Sequence, residues 1–125
     1  MTRVFLCDDV ADIRLLMRLC LEEDPNIEIV GEAKDAPSAL AAIPESRPDV
    51  VLVDICMPEM EGLELIPRIR DSAPSMGIVV YSALASPRTQ EQALASGADR
   101  YLVKGAPLER LREVTTEVAR ERGIA

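Results

Sequence analysis

The chain has 125 residues, 48% hydrophobic but only 2% aromatic, which fits one compact domain with an aliphatic core and excludes a disordered chain. The 22 acids against 14 bases leave a net charge of -8, a poor match for nucleic-acid phosphates, so DNA binding would need a further domain. No histidine is present, which excludes His-based metal sites, His general bases and a phosphohistidine carrier.

Strand-like and helix-like segments alternate along the chain. VFLC (4–7) is a short, wholly apolar run that reads as a buried strand. DIRLLMRLCLEE (12–23) places Ile13, Leu16, Met17, Cys20 and Leu21 on one helical face, with Arg14 and Arg18 outside. Asp12 is the expected N-cap of that helix and Pro25 its stop. IEIVGEA (27–33) alternates Ile27 and Ile29 against Glu28, as a half-exposed edge strand does. Asp35 and Pro37 open an Ala-rich helix to about Ile43, and PESRPD (44–49) reads as a turn. VVLVD (50–54) is the central buried strand. LELIPRIR (63–70) reads as a helix in which Pro67 lacks the donor to Leu63, so a kink or a shifted start is expected. GIVVYS (77–82) is another apolar strand. Ser86 and Pro87 start a helix with Ser86 as cap, and Gly97 ends it. DRYLVK (99–104) is a short strand. The chain closes on a helix over 107–122 with Leu108, Leu111, Thr115 and Val118 inward.

Near-continuous apolar strands require burial on both faces, hence an α/β fold with a parallel sheet between helices. Cys7, Cys20 and Cys56 are odd in number and sit in apolar runs, so they read as reduced core residues of a cytoplasmic protein. The N-terminal apolar run is too short for a signal peptide, and no stretch approaches membrane-spanning length.

Each strong strand delivers a polar residue at its C-terminal end. VFLC runs into Asp8 and Asp9, VVLV into Asp54, GIVVY into Ser82 and RYLV into Lys104. In a parallel sheet these ends share one edge, where ligands bind. Three carboxylates gathered there repel one another and call for counter-charge. A hard cation held by few protein oxygens, with room for water, points to Mg2+, and Lys104 supplies the remaining positive charge. A metal, an ammonium and the Ser82 hydroxyl together suit a phosphoryl group, with Asp54 as nucleophile towards phosphorus. Singly, each residue has a plainer reading. The acid pair could favour a helix N-terminus, Asp54 could start a turn, Lys104 could be a surface charge and Ser82 a cap. Their convergence on one edge is what argues for a site.

These residues, with D-I-C-M-P (54–58), Gly62, Ala83 and Tyr101-Leu102-Val103 before Lys104, span nearly the whole chain. The sequence resembles a response-regulator receiver domain of two-component signalling. The resemblance implies a flavodoxin-like, doubly wound five-stranded parallel sheet in strand order 2-1-3-4-5 with five helices, over a single domain of residues 1–125. It implies that Asp54 accepts phosphoryl from a histidine kinase or a histidine phosphotransfer protein. Asp9, Asp54 and the main-chain oxygen of Cys56 would ligate Mg2+, with Asp8 acting largely through water. Lys104 and Ser82 would hold the phosphoryl group, and Tyr101 matches the switch aromatic, although packing alone also accounts for a lone strand Tyr. The implied role is a phosphorylation-driven switch rather than an enzyme, its altered surface selecting a partner that could be a second copy of itself.

Gly105 follows Lys104 where the family often has Pro, so a cis bond is not expected there, since a non-proline cis bond costs about 2.5–4 kcal/mol. The strings KGA (104–106) and EIVGEA (28–33) are similar to members that carry a C-terminal helix-turn-helix domain, which would regulate transcription; no such domain fits within these residues. Cys56 and Leu84 flank the reacting positions and neither readily orients an attacking water, so slow self-dephosphorylation is expected. Two rivals compete with the switch. An Mg2+-dependent phosphatase with an Asp nucleophile typically uses D-x-D, but residue 56 is Cys. A non-phosphorylated interaction domain of the same fold would not need the complete set of acids, Ser and Lys.

Overall fold

The computed structural model describes residues 1–57 and 62–123. Five strands, β1 (Thr2–Cys7), β2 (Ile27–Ala33), β3 (Val50–Val53), β4 (Gly77–Ser82) and β5 (Arg100–Val103), alternate with five helices: α1 (Ala11–Leu21), α2 (Ala36–Ser46), α3 (Gly62–Ser72), α4 (Pro87–Ala95) and α5 (Leu108–Glu121). The strands form one parallel sheet in the order β2-β1-β3-β4-β5. The parallel sheet between helices is what the alternating pattern predicts, and its doubly wound order is the one that the resemblance implies.

Period-2 side-chain alternation splits the core into two layers. Phe5, Cys7, Val51, Val53, Ile78 and Val80 face Ala39, Ile43, Leu65, Ile69 and Ala93 from α2, α3 and α4. Val4, Leu6, Val50, Leu52, Val79 and Tyr81 face Met17 and Leu21 of α1 and Leu111, Val114 and Val118 of α5. Both faces of the central strands are covered, which explains runs with no polar residue. The register pairs Cys7 with Val53, Val53 with Val80, and Ser82 with Val103. The residues just beyond Cys7, Val53 and Val103 are therefore delivered to one edge. At β2 the register slips between Val4 and Phe5, which brings Gly31 opposite Phe5. A Cβ at Gly31 would lie 2.6 Å from the Phe5 ring, so only glycine fits that close approach.

Several local expectations are corrected. Asp12 does not cap α1: Val10 occupies the N-cap position, no side chain caps there, and Asp12 sits in the first turn. Leu16 is exposed, together with Leu15 and Leu19, while α1 packs into the core layer through Met17 and Leu21 with the partly buried Ile13 beside them. α2 runs on through Pro44 to Ser46, so half of the supposed turn is helical. Its start is as expected, with Asp35 accepting the Ser38 N–H at 2.8 Å. α3 carries Pro67 in its interior. Ser86 holds the N-cap position of α4 but its side chain makes no capping bond; Gly97, at φ 124°, follows the helix end as expected. Cys56 is exposed, unlike the buried Cys7 and Cys20, and all three thiols are free. Met57 and Met76 are buried, whereas Pro58 of the D-I-C-M-P string and Met60 lie outside the described residues. No cis peptide occurs among the described residues, and Gly105 takes a positive φ of 107°. Among the described residues no helix is long and apolar enough to cross a membrane.

Candidate functional site

Asp8 and Asp54 lie just past the ends of neighbouring strands, and the backbone pins both. The Asp8 N–H donates to the Ala33 carbonyl at 3.1 Å and the Asp54 N–H to the Cys7 carbonyl at 2.9 Å, so each acid continues the ladder by one residue. One carboxylate oxygen of each then closes a local turn. Asp8 Oδ1 accepts the Val10 N–H at 2.9 Å and Asp54 Oδ1 accepts the Cys56 N–H at 2.9 Å. These turns bury the two acids at 1% and 4% exposure while leaving Asp9 at the surface. One oxygen from each of Asp8, Asp9 and Asp54 lies within 4.8 Å of the others.

Lys104 arrives from the end of β5 and spans the two buried acids. Its Nζ donates to Asp8 Oδ2 at 2.8 Å and to Asp54 Oδ2 at 2.9 Å. Its own N–H donates to the Ser82 carbonyl at 2.7 Å, which fixes where the side chain starts. Burial pulls the Lys104 pKa down, but the bonds to Asp8 and Asp54 outweigh it and leave the ammonium above its ordinary value. The Tyr81 ring lies 5.8 Å from Nζ, within cation–π range. Tyr81 escaped the sequence reading, since a Tyr inside a buried strand looks like core. The available signal was its place beside Ser82, one residue from the strand end.

Ser82 and Tyr101 converge on a different part of the same edge. The buried Ser82 Oγ accepts the Leu84 N–H at 3.3 Å and lies 3.8 Å from the Cys56 sulfur. The Tyr101 hydroxyl donates to the Leu84 carbonyl at 2.7 Å. Leu84 is thus held from both ends of its backbone, by the two residues predicted to switch together. The Cys56 thiol lies beside Ser82, while its main-chain N–H is the one that Asp54 Oδ1 accepts. Cys7, in contrast, is buried beneath Asp8, and burial followed by that carboxylate's charge pushes its thiol far up, which keeps it unreactive.

The donor set tests the expected cation directly. Three carboxylates face one ammonium, so formal negative charge is left over at the mouth, where Asp9 is open to solvent. Oxygen donors of this kind suit a hard divalent ion that keeps some of its water, as Mg2+ does, better than a thiophilic metal. Every sequence-predicted side chain is found at this edge: Asp8, Asp9, Asp54 and Lys104 in one cluster, Ser82 tied to Lys104 through the backbone, and Tyr101 tied to Ser82 through Leu84.

A model of the response regulator receiver domain matches residues 4–116. The chain belongs to the response-regulator receiver family. Among curated relatives, protein-glutamate methylesterase/protein-glutamine glutaminase 1 of Methanospirillum hungatei JF-1 is 35% identical over 120 residues, which is 94% of this chain and 35% of that protein. The DNA-binding transcriptional activator DevR/DosR of Mycobacterium tuberculosis is 33% identical over 104 residues, 83% of this chain and 48% of that protein. The chain therefore spans between a third and a half of the length of these relatives. The receiver domain of the putative response regulator NarL from Mycobacterium tuberculosis superposes with a TM-score of 0.89 at 29% identity, covering 95% of this chain and 96% of that one. This receiver is thus a component of two-component signalling with transcription regulators among its relatives, and its sheet order is that of the receiver fold.

Proposed function

We propose that residues 1–125 act as one phosphorylation-driven switch, with Asp54 accepting a phosphoryl group from a histidine kinase or a histidine phosphotransfer protein in the cytoplasm. The observation that carries this reading is the Lys104 ammonium bridging two buried carboxylates beside a third, exposed one. Asp54 is the acid of the three that lies at the centre of the sheet edge and also touches Lys104. An oxygen of Asp54 attacks phosphorus while the phosphorus–nitrogen bond of a phosphohistidine breaks, and the imidazole leaves with that electron pair. Lys104 already lies 2.9 Å from Asp54 Oδ2, so its ammonium can pass from the carboxylate to the new phosphoryl oxygens with little movement. Asp9, Asp54 and the main-chain oxygen of Cys56 would hold Mg2+, with Asp8 acting through water; when bound, the cation supplies positive charge opposite the incoming phosphoryl oxygens.

The phosphoryl group adds roughly 1.5–2 negative charges and three acceptor oxygens. The Ser82 hydroxyl then has a stronger acceptor than any it now meets, and turning towards it releases the Leu84 N–H. Tyr101, bonded to the other end of Leu84, follows the loop. The loop after Ser82, α4 and β5 form the bistable element, and the remodelled surface selects a partner, a second copy of the chain among the candidates. The domain itself turns over no external substrate. The test is acetyl phosphate with Mg2+, read by intact mass. The wild type gains one phosphoryl group and Asp54→Asn gains none; full labelling of the variant would remove Asp54 from its role.

A further inference from the structure

Arg14 is not the outward-facing helix residue that its spacing implies. Its side chain is 17% exposed, and its guanidinium reaches back over the first turn of α1. Nη1 donates to the main-chain carbonyl of Asp8 at 2.6 Å, and Nε donates to Glu32 Oε1 at 2.9 Å. Glu32 lies on β2, next to Ala33, whose carbonyl accepts the Asp8 N–H. Both polar atoms of the Asp8 backbone are therefore tied to the same short stretch of β2, one directly and one through Arg14. Asp8 Oδ1 and Oδ2 are taken by Val10 and Lys104, so every polar atom of Asp8 is held by a different group. The Asp8 carbonyl belongs to the peptide that joins Asp8 to Asp9. Fixing it fixes that rigid plane, and with it the starting point of the exposed Asp9 side chain.

We propose that Arg14, anchored by Glu32, is a positioning residue that sets the Asp8–Asp9 peptide plane and thereby raises the affinity of the acid cluster for a divalent cation. This rests on the reading of the acids as a cation site. The sign of the effect makes it testable. Removing a positive charge near an acidic site should tighten cation binding on Coulombic grounds. Loss of positioning should weaken it. Arg18 is an internal control: it donates to Glu32 Oε2 from Nε at 3.1 Å and to Glu22, but among the described residues it makes no bond to Asp8.

The experiment titrates Mg2+ alone into the unphosphorylated protein, followed by amide chemical shifts, for the wild type, Arg14→Ala, Arg14→Lys and Arg18→Ala. Melting in EDTA is recorded alongside, and Arg14→Lys keeps the charge should Arg14→Ala fail to fold. Groups that orient metal ligands are typically worth about 10–100-fold in affinity. The expected result is about tenfold weaker binding for both Arg14 variants and a change below about twofold for Arg18→Ala. Mg2+ binding as tight as, or tighter than, wild type in the folded Arg14 variants overturns the role of Arg14 alone. An equal loss in Arg18→Ala also overturns it, because Arg18 shares the charge and the anchor but not the contact with Asp8. A wild type that takes up no Mg2+ removes the cation site itself, and the positioning role with it.

Discussion

Replacing Lys104 by Met removes the ammonium and leaves two carboxylates facing each other inside the protein. The Asp8 and Asp54 side chains are 1% and 5% exposed, while Lys104 is 19% exposed. Stripping one partner from a buried ion pair typically costs about 3–5 kcal/mol. The partial exposure of Lys104 lets some water reach the site, so the lower end applies, about 3 kcal/mol. An unfolding entropy of about 2.1 cal/mol/K per residue gives about 0.26 kcal/mol/K for a chain of this length, and the melting temperature should fall by roughly 10 °C. The assay is thermal unfolding by circular dichroism at neutral pH in EDTA. A double-mutant cycle isolates the cause. In an Asp54→Asn background only one carboxylate is stranded, so Lys104→Met should cost less there by about 1–3 kcal/mol, the range for residues in direct contact. A loss below about 1 kcal/mol, or strict additivity with Asp54→Asn, would show that the bridge does not hold the edge together.

Other outcomes follow from the same geometry. The Lys104 pKa is raised in the folded protein, so the unfolded chain gives up its proton first as pH climbs past the ordinary lysine value of 10.5. The stability that this charge contributes is full below that pH and is lost as pH rises through the folded value; urea midpoints should show the loss in wild type and a shallower one in Lys104→Met. Once phosphorylated, the protein should release inorganic phosphate over minutes or longer, because the neighbours Cys56 and Leu84 offer no group to orient water; release within seconds would contradict this. Gly31→Ala should destabilise by about 1–3 kcal/mol in denaturant unfolding, as overpacking does. Its Cβ would meet the fully buried Phe5 ring at 2.6 Å and 2.9 Å, and an unchanged midpoint would mean that β1 and β2 yield at their bulge.

Much of this protein was set by local pattern. Apolar runs such as VVLV and GIVVYS, short, β-branched and bounded by turn residues, read as strands covered on both sides, and a parallel sheet made of them carries Asp8, Asp54, Ser82 and Lys104 to a common edge. That inference needs no knowledge of side-chain contacts. The rest depended on which residues distant in the chain came within hydrogen-bonding reach. Lys104 settles between Asp8 and Asp54, 96 and 50 positions away, and the Tyr81 ring lies near its ammonium. Arg14 turns inward because Glu32 and the Asp8 carbonyl happen to lie over the first turn of α1. Leu16 is left exposed although its helical spacing matches the buried face, because the sheet covers a narrower stripe of α1 than periodicity allows. Asp12 is a good cap by composition and loses the position to Val10, since the Asp8 turn begins the helix earlier. Spacing along a chain aims a residue at one face, whereas its burial and its partner are decided by distances that exist only after the strands have paired.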